Sequence, residues 1–310
     1  MTGGTGFIGS HLVQRLAEDG QAVHVLHRPN GERFNQTETN GSAKYWPCDL
    51  RDKNRLIEIL HAIQPEVIFH LAGDTSVRHI GASLAGVADS IGCNVETSIN
   101  LFLAAHATCR QLQLLVRVGG LEEYGRGPVP YKETQREQPV SPYSASQVAV
   151  THYLQMLSPH VNYRTVIARP ALVYGPRQSS RFFIPALIAS CLIGLDFSMT
   201  SGKQGRDLLY VDDLIEALLL LRDKPLPTGE IINVGSGRET AMAGVAASIV
   251  RLAGVAIQLR PDAPKRPSEI EHLYCSNQKA ASLLGWRPAV DLEDGLSRTI
   301  EWYRQGAAGK

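Results

Sequence analysis

The chain is poor in the features that mark secreted, membrane-spanning and nucleic-acid-binding proteins. It has only 5 cysteines in 310 residues, an odd number without a C-x-x-C spacing, so neither disulfides nor a metal site is expected. Its 31 basic and 30 acidic residues leave a net charge of +1, which favours neither nucleic acid nor an anionic membrane as a partner. The longest apolar tract, 182–195, is interrupted by Pro185 and Ser190 and is too short to cross a bilayer. We therefore expect a cytoplasmic globular protein.

What the sequence does contain begins with glycine. Gly3, Gly6 and Gly9 recur at every third residue, directly before a segment with apolar residues on one side. Glycines at this spacing allow a tight turn, close approach of the backbone to a phosphate, and close helix packing. An apolar strand at 22–26 follows, as a dinucleotide-binding βαβ unit requires. We therefore predict a cofactor loop of Gly3, Gly6, Phe7, Ile8 and Gly9, and a purely structural turn is the alternative.

The strand that should precede this loop is lacking. Only Met1 stands before Thr2, whereas the first strand of a doubly wound sheet is central and has a neighbour on each side. Without that strand, two neighbouring strands would lose their partner in the middle of the sheet. We expect either that the first strand is missing from the chain or that the loop is held unusually, and we favour the first.

The residues after the 22–26 strand bear on the choice of cofactor. A NAD site usually places Asp or Glu about 20 residues past the glycines, to accept from the ribose 2′-hydroxyl. This chain has no carboxylate there, and Arg28 is suited to pair with a 2′-phosphate. The sequence therefore favours NADP over NAD, and a solvated arginine is the alternative.

Predicted strands and helices alternate along most of the chain. This rhythm predicts an α/β fold with a Rossmann-type doubly wound parallel sheet. The 67–73 run ends in Leu71, Ala72 and Gly73, small or apolar residues over which a cofactor can pass, and we interpret His70 as a satisfied core histidine rather than a ligand or base. Residues 1–168 and 203–235 are predicted to form the dinucleotide-binding domain, and 169–202 and 236–310 an interleaved, smaller α+β substrate lobe. The predicted strands are 22–26, 44–46, 67–73, 114–118, 164–168 and 231–234, and the predicted helices 53–63, 94–107, 143–157, 182–195, 206–221, 241–252, 277–284 and 292–303.

A series of motifs spans nearly the whole chain. They are Thr2–Gly9, Asp49-Leu50, His70-Leu71-Ala72, Asn94-Val95, Glu123-Tyr124-Gly125, Pro142-Tyr143, Tyr174-Gly175-Pro176, Arg206-Asp207, Val211-Asp212-Asp213, Asn233-Val234-Gly235 and Leu284-Gly285-Trp286-Arg287-Pro288. Together they resemble the extended short-chain dehydrogenase/reductase family of sugar-nucleotide epimerases, dehydratases and reductases. Within this family, Glu122-Glu123 and the segment 266–270 (R-P-S-E-I) look most like GDP-mannose 4,6-dehydratases and GDP-4-keto-6-deoxymannose reductases.

The resemblance implies a role for several residues. Arg266 and Glu269 would hold the nucleotide of a GDP-linked sugar and Arg206 would face its diphosphate, although Arg266 is alternatively a surface arginine. The other implied positions are Glu123 and Arg177 at the substrate, and Asp49 and Leu50 near the adenine of the cofactor. Relatives dimerise through the helices that correspond to 94–107 and 143–157, so a homodimer is expected.

The resemblance fails at two catalytic positions. The family uses a Ser or Thr, a Tyr and a Lys four residues after the Tyr; the hydroxyl groups meet the sugar 4-oxygen, and the Lys binds the nicotinamide ribose. Tyr143 is present here, but Gly120 stands at the Ser/Thr position and Gln147 at the Lys position. An ammonium about 4 Å from a phenol lowers the phenol pKa by roughly 3 units, and a glutamine carries no charge. Tyr143 is therefore expected to remain protonated and to be a poor base. Leu172 is a third departure, since relatives commonly have Asn there.

Two classes of function stay open. One is an NAD(P)-dependent dehydratase or reductase of a nucleotide hexose, in which Tyr143 donates a proton and Glu122 occupies the position of the glutamate that moves the C5 proton in 4,6-dehydratases. Glu122 is alternatively a solvated loop residue, and Lys132, Ser144 or Ser146 could replace the missing groups. The other class is a non-catalytic sensor of a nucleotide sugar or cofactor, which Gly120 and Gln147 favour. RNA binding is disfavoured by the balanced charge.

Overall fold

The structure, a computed structural model, describes residues 1–29, 35, 41–74, 84–264 and 269–308. Its helices are α1 (Phe7–Glu18), α2 (Lys53–Ile63), α3 (Leu84–Ser90), α4 (Thr97–Thr108), α5 (Pro142–Leu157), α6 (Phe183–Leu192), α7 (Val211–Asp223), α8 (Met242–Ala253), α9 (Gln278–Leu284) and α10 (Leu292–Ala308). Its strands are β1 (Val23–His27), β2 (Ala43–Pro47), β3 (Val67–His70), β4 (Leu114–Val118), β5 (Arg164–Pro170), β6 (Leu172–Tyr174), β7 (Phe197–Ser198), β8 (Gly205–Arg206), β9 (Leu208–Tyr210), β10 (Glu230–Val234), β11 (Thr240–Ala241), β12 (Leu259–Arg260) and β13 (His272–Leu273).

The main sheet is parallel and has two halves, β2-β1 and β3-β4-β5-β10. Met1 and Thr2 lie between the halves. The amide of Thr2 donates to the carbonyl of Phe69 (3.0 Å) and its carbonyl accepts from Leu71 (3.2 Å), while Leu26 donates to the carbonyl of Met1 (2.9 Å). The resulting order, β2, β1, Thr2, β3, β4, β5, β10, is that of a Rossmann-type doubly wound sheet.

The first strand of the sheet is very short. Two residues, Met1 and Thr2, occupy the central position where a full strand is expected, and they bond to both neighbours. The glycine loop therefore leaves the sheet at the position that the doubly wound topology prescribes, although the ladder between β1 and β3 is short.

The sheet is covered on both faces. Alternate residues of β4 point to opposite faces, so Leu114 and Val116 join an apolar cluster with α1 and α7, while Leu115 joins a second cluster with α2, α4 and α5. The first cluster continues without interruption into α6, α8 and α10. The chain therefore has a doubly wound α/β core, and its smaller helical part shares one of the two apolar clusters.

Two of the motif aspartates accept hydrogen bonds from backbone amides of loops. The carboxylate of Asp213 accepts from the amides of Ala289 (2.9 Å) and Val290 (3.1 Å), and Trp286 donates to the Asp213 carbonyl (3.1 Å). Asp207 is fully buried and accepts from the amide and hydroxyl of Ser236. The helix predicted from residue 206 is wrong at its start: residues 205–210 pair as β8 and β9, and α7 begins only at Val211.

His70 joins the centre of the sheet to α4. Its Nδ1 lies 2.7 Å from the Thr2 hydroxyl and its Nε2 lies 2.8 Å from the Ser98 hydroxyl. The Ser98 hydroxyl donates to the carbonyl of Asn94, and the Thr2 hydroxyl accepts from the amide of Ala72. The Ser98 hydroxyl therefore needs to accept a hydrogen bond from Nε2, and the Thr2 hydroxyl needs to donate one to Nδ1. Both conditions hold only if the imidazole is neutral. The interpretation of His70 as a satisfied core histidine is confirmed.

This arrangement predicts a loss of stability in mild acid. Burial lowers the pKa of His70 from 6.5 to about 3, so between these values the unfolded chain binds a proton that the folded chain does not. Stability is therefore lost as pH falls below the unfolded pKa. Between pH 7 and 5 the free energy of unfolding of wild type should fall by about 2 kcal/mol more than that of His70→Gln, measured by urea denaturation. Exposed His61 on α2 supplies the matched control, His61→Gln. Parallel curves for wild type and His70→Gln would contradict the assignment.

Candidate functional site

The glycine loop forms a cradle in which the positions of Gly3 and Gly9 have no room for a side chain. Gly3 has a φ of +72°, and a Cβ on it would lie 2.7 Å from the backbone of Leu71. A Cβ on Gly9 would overlap with the carbonyl of Gly3. Helix α1 begins at Phe7 with Gly6 as its N-cap, and among the described residues no side chain caps it and no acidic residue lies in its first turn. The amides at the helix start are thus left for an anion, and the cradle fits the pyrophosphate of a nicotinamide dinucleotide.

Two of the residues predicted to contact the cofactor lie together at the ends of β1 and β2. Arg28 follows β1 and is exposed, while Asp49 follows β2. The guanidinium of Arg51 bonds to both carboxylate oxygens of Asp49 and, with the charge of Arg28, holds the pKa of that carboxyl below its ordinary value. Leu50 beside it is buried, and its carbonyl accepts from Asn100. The structure therefore brings Arg28 and Asp49 to one end of the sheet.

The start of α5 is fixed by its serines. Ser141 and Ser144 form a capping box in which each side chain accepts from the other residue's amide (3.1 and 3.0 Å). Ser146 donates to the carbonyl of Tyr143 and accepts from the side-chain amide of Asn94. Both serine hydroxyls considered as replacements for the missing catalytic groups thus hold the helix in place. Lys132, the third candidate, is exposed.

Tyr143 and Gln147 lie one turn apart on the buried face of α5. The side-chain carbonyl of Gln147 accepts from the guanidinium of Arg117, which also donates to the Gln147 backbone carbonyl (3.2 Å). The amide nitrogen Nε2 of Gln147 lies 3.8 Å from the point where a Cβ on Gly73 would be. Gln147, which the resemblance sets at the position of the family's lysine, therefore presents an uncharged amide to the end of β3.

A cluster of buried charges lies beneath this helix. Arg117, Glu123 and Arg169 are 2 %, 0 % and 0 % exposed. One carboxylate oxygen of Glu123 pairs with Arg117 (2.8 Å), and the other pairs with Arg169 (2.7 Å) and accepts from the hydroxyl of Thr151 (2.7 Å). Arg169 also pairs with Glu137 (2.7 Å). Glu123, predicted to contact the substrate, is thus enclosed in this charge cluster of Arg117, Glu123, Arg169 and Glu137.

Arg117 is a residue of this cluster that was not predicted from the sequence. The signal was present, because an arginine in the middle of the apolar strand L-L-V-R-V needs a buried partner, and a glutamate follows six residues later.

The two glycines after β4 make room for charged side chains. A Cβ on Gly119 would overlap with a carboxylate oxygen of Glu123 and a guanidinium nitrogen of Arg117. A Cβ on Gly120 would lie 2.6 Å from a carboxylate oxygen of Glu122. At Gly120, which the resemblance sets at the family's Ser/Thr position, the space next to the backbone is therefore filled by the carboxylate of Glu122.

The predicted substrate residues Arg206 and Glu269 meet beside Glu122. The Nη2 of Arg206 lies 3.6 Å from a carboxylate oxygen of Glu269. Burial lowers the pKa of the Arg206 guanidinium, against the opposing fields of Glu269 and Glu122. Burial also raises the pKa of Tyr131, on which the charges of Arg206 and Glu122 act, to about 12. This corner therefore holds a largely buried cation that feels the charges of Glu269, Glu122 and Glu239.

Two predicted substrate residues are not part of this group. Arg266 lies outside the described residues. Arg177 packs against α1, where it donates to the side chain of Gln14 (2.8 Å), and its carbonyl accepts from Asn35. Among the contacts of the described residues, none joins Arg177 to Arg206 or Glu269.

The packing of Gly119 gives a stability prediction. A methyl group there must separate Arg117 from Glu123, and breaking a buried ion pair costs about 3 kcal/mol. Gly119→Ala should therefore lower the free energy of unfolding by about that amount in denaturant titrations. Gly120→Ala is the matched control, because its methyl meets only the movable end of Glu122 and should cost less than about 1 kcal/mol. Equal losses in both variants would show that the ion pair does not set the requirement for glycine.

Comparison with known proteins places this geometry in a family. The sequence model of the NAD dependent epimerase/dehydratase family matches residues 1–235. UDP-glucose 4-epimerase from Mycolicibacterium smegmatis is 31 % identical over 98 % of this chain and 97 % of its own length. Human dTDP-D-glucose 4,6-dehydratase is 28 % identical over 98 % of this chain and 89 % of its own. The structure of Thermus thermophilus UDP-glucose 4-epimerase in complex with NAD is similar with a TM-score of 0.85 and 29 % identity, over 98 % of this chain and 97 % of that one. The chain belongs to the NAD dependent epimerase/dehydratase family.

Proposed function

We propose that this protein binds a nicotinamide dinucleotide in the glycine cradle and a nucleoside diphosphate sugar beside Arg206, and that it reduces a keto group of the sugar. One observation carries the proposal. The amide of Gln147, one turn from Tyr143, faces Gly73 at the end of β3, and the backbone two residues earlier, at Leu71, touches Gly3 of the cradle. The family's tyrosine thus lies along the path that a dinucleotide would follow from the cradle across the sheet.

Tyr143 has one proton to give in this reaction. When bound, the reduced dinucleotide supplies a hydride to the keto carbon. The phenol of Tyr143 donates its proton to the keto oxygen, so the carbonyl becomes a hydroxyl, and the phenolate then recovers a proton from water. A tyrosine without a neighbouring ammonium is suited to this direction, because it donates a proton rather than removes one.

Arg206 is the group proposed to contact the diphosphate. It is a largely buried cation in a polar corner, and a guanidinium can bond to two phosphate oxygens at once. The names of the relatives indicate a uridine or thymidine nucleotide. They give no support to the GDP preference predicted from Arg266 and Glu269. We therefore propose a UDP- or dTDP-sugar.

A second candidate function is favoured by Gly120 and Gln147. They remove the hydroxyl and the cation that relatives use, and Glu122, which occupies the vacated space, accepts hydrogen bonds but donates none when ionised. A protein that senses a nucleotide sugar would keep the cradle and Arg206 and dispense with turnover. The two candidates make the same binding prediction and differ in catalysis.

Titration and turnover separate the two candidates. We expect NADH or NADPH, and UDP or dTDP, to bind wild type in calorimetry, and 4-keto sugar nucleotides to oxidise the reduced cofactor, followed at 340 nm. Tyr143→Phe should retain binding and lose turnover by about 10²-fold or more, since it removes the proton donor. Binding without turnover in wild type would favour the sensor. If neither cofactor binds, the cradle is a relic and the proposal fails.

The same titrations test the choice of cofactor. The family description and the solved relative point to NAD and give no support to the NADP preference predicted from Arg28. If Arg28 binds a 2′-phosphate, Arg28→Ala will weaken NADPH binding about tenfold and leave NADH binding unchanged. Equal affinity of wild type for both cofactors would remove Arg28 from the site.

We also propose that the protein forms a homodimer through α3, α4 and α5. These helices and the helical segment Ile91–Glu96 between α3 and α4 expose large apolar side chains at 42–53 % of their surface, namely Val87, Ile91, Leu103, Tyr153 and Met156. Such an apolar face is typical of an interface between subunits. The double substitution Leu103→Glu, Met156→Glu should halve the mass measured by light scattering. Leu195→Glu, at an equally exposed position after α6, is the matched control and should leave the mass unchanged. A monomeric wild type would contradict the proposal.

A further inference from the structure

One residue of the charge cluster, Arg117, bonds to the side chain of Gln147. Arg117 uses Nη1 to bond Glu123 and Thr151 (2.8 and 2.9 Å), and Nη2 to bond both carbonyls of Gln147. Its guanidinium is 2 % exposed and is fixed from two sides. It therefore acts as a rigid support behind the side chain of Gln147.

The hydrogen bond from Arg117 fixes the orientation of the Gln147 side-chain amide. A guanidinium has five N–H donors and no acceptor, so only the oxygen of the Gln147 side chain can face it. The amide nitrogen Nε2 then lies on the side away from Arg117, 3.8 Å from the point where a Cβ on Gly73 would be.

We propose that Arg117 is a positioning residue for cofactor binding: it turns the amide of Gln147 so that its two N–H donors face the bound cofactor's ribose. The proposal rests on the proposed function, because it assumes a dinucleotide beside Gly73. Two N–H groups are suited to the hydroxyl oxygens of a ribose, as a lysine ammonium would be, but they carry no charge.

The same geometry explains why a lysine is not accommodated at position 147. Its ammonium would lie against the Arg117 guanidinium in a buried region, and like charges there repel strongly. The carboxylate of Glu123 is already shared by Arg117 and Arg169, and Glu137 pairs with Arg169. Arg117 on β4 and Gln147 on α5 therefore form a matched pair, and neither replacement is independent of the other.

The positioning role is tested by a double-mutant cycle on cofactor binding. NADH and NADPH affinities are measured by fluorescence titration for wild type, Arg117→Met, Gln147→Met and the double variant. Each single substitution should weaken binding about tenfold, and the double variant should bind no more weakly than Gln147→Met, because Arg117 acts through Gln147. Additive losses in the double variant would overturn the proposal.

Thr151→Val is the matched control for general damage to the cluster. It removes a different partner of Arg117 and Glu123 and leaves Gln147 untouched. We expect it to lower the melting temperature without changing cofactor affinity. If Thr151→Val weakens binding as much as Arg117→Met, the effect is structural and the proposal is overturned.

A second measurement needs neither a cofactor nor the Arg117 variant. Gln147→Met and Gln147→Lys both lose the bond to Arg117, but only lysine adds a charge. We expect Gln147→Lys to melt at least about 5 °C below Gln147→Met at neutral pH. Equal melting temperatures would overturn the claim that Arg117 excludes lysine. If wild type binds no dinucleotide, the proposed function fails by itself, and this comparison still decides whether the two residues are matched.

Discussion

The carboxylate of Glu123 lies between two buried guanidinium groups, and the residues around it have to satisfy all three charges. Burying an unpaired charge is costly, so such a cluster is stable only if each charged group has a partner of opposite charge. Here the demand extends to four elements: Thr151 and Gln147 on α5, Arg117 on β4, Arg169 on β5, and the loop that carries Glu137. The ion pair also requires glycine at position 119, because the Arg117–Glu123 pair crosses the space that a Cβ would need.

Gly120 and Gln147 differ from the catalytic residues that the family resemblance implies, and a charged side chain lies beside each of them. In the sequence, Gly120 and Gln147 look like two independent losses. In the structure, each faces a charged side chain: Glu122 fills the space beside Gly120, and Arg117 bonds to Gln147. A side chain at position 120 would meet the movable end of Glu122, and a change at position 147 would alter the bond to Arg117.

The parts of this arrangement that the sequence predicted are those set by local patterns. The glycine loop, the doubly wound parallel sheet and the burial of His70 follow from spacing and hydrophobic periodicity, and the structure agrees with them. Arg117 was missed because two of its partners are distant along the chain: Gln147 is 30 residues away and Thr151 is 34 residues away. The start of α7 was misplaced for a related reason, since residues 205–210 are drawn into β8 and β9 by pairing with remote strands. Contacts of this kind carry no periodic signal in the sequence.

The balance of the charge cluster also bears on the direction of the chemistry. Arg117 and Arg169 are matched by Glu123 and Glu137, so the cluster beneath Tyr143 has no net charge, although it holds two cations. An ammonium at position 147 would add a positive charge one turn from Tyr143, whereas Gln147 adds none and the paired cluster adds none in total. Donating a proton to a keto oxygen does not require such a charge. The charges around α5 are therefore compatible with the proposed reduction of a keto sugar, in which Tyr143 gives a proton, and this compatibility depends on Arg117 and Gln147 as well as on the tyrosine.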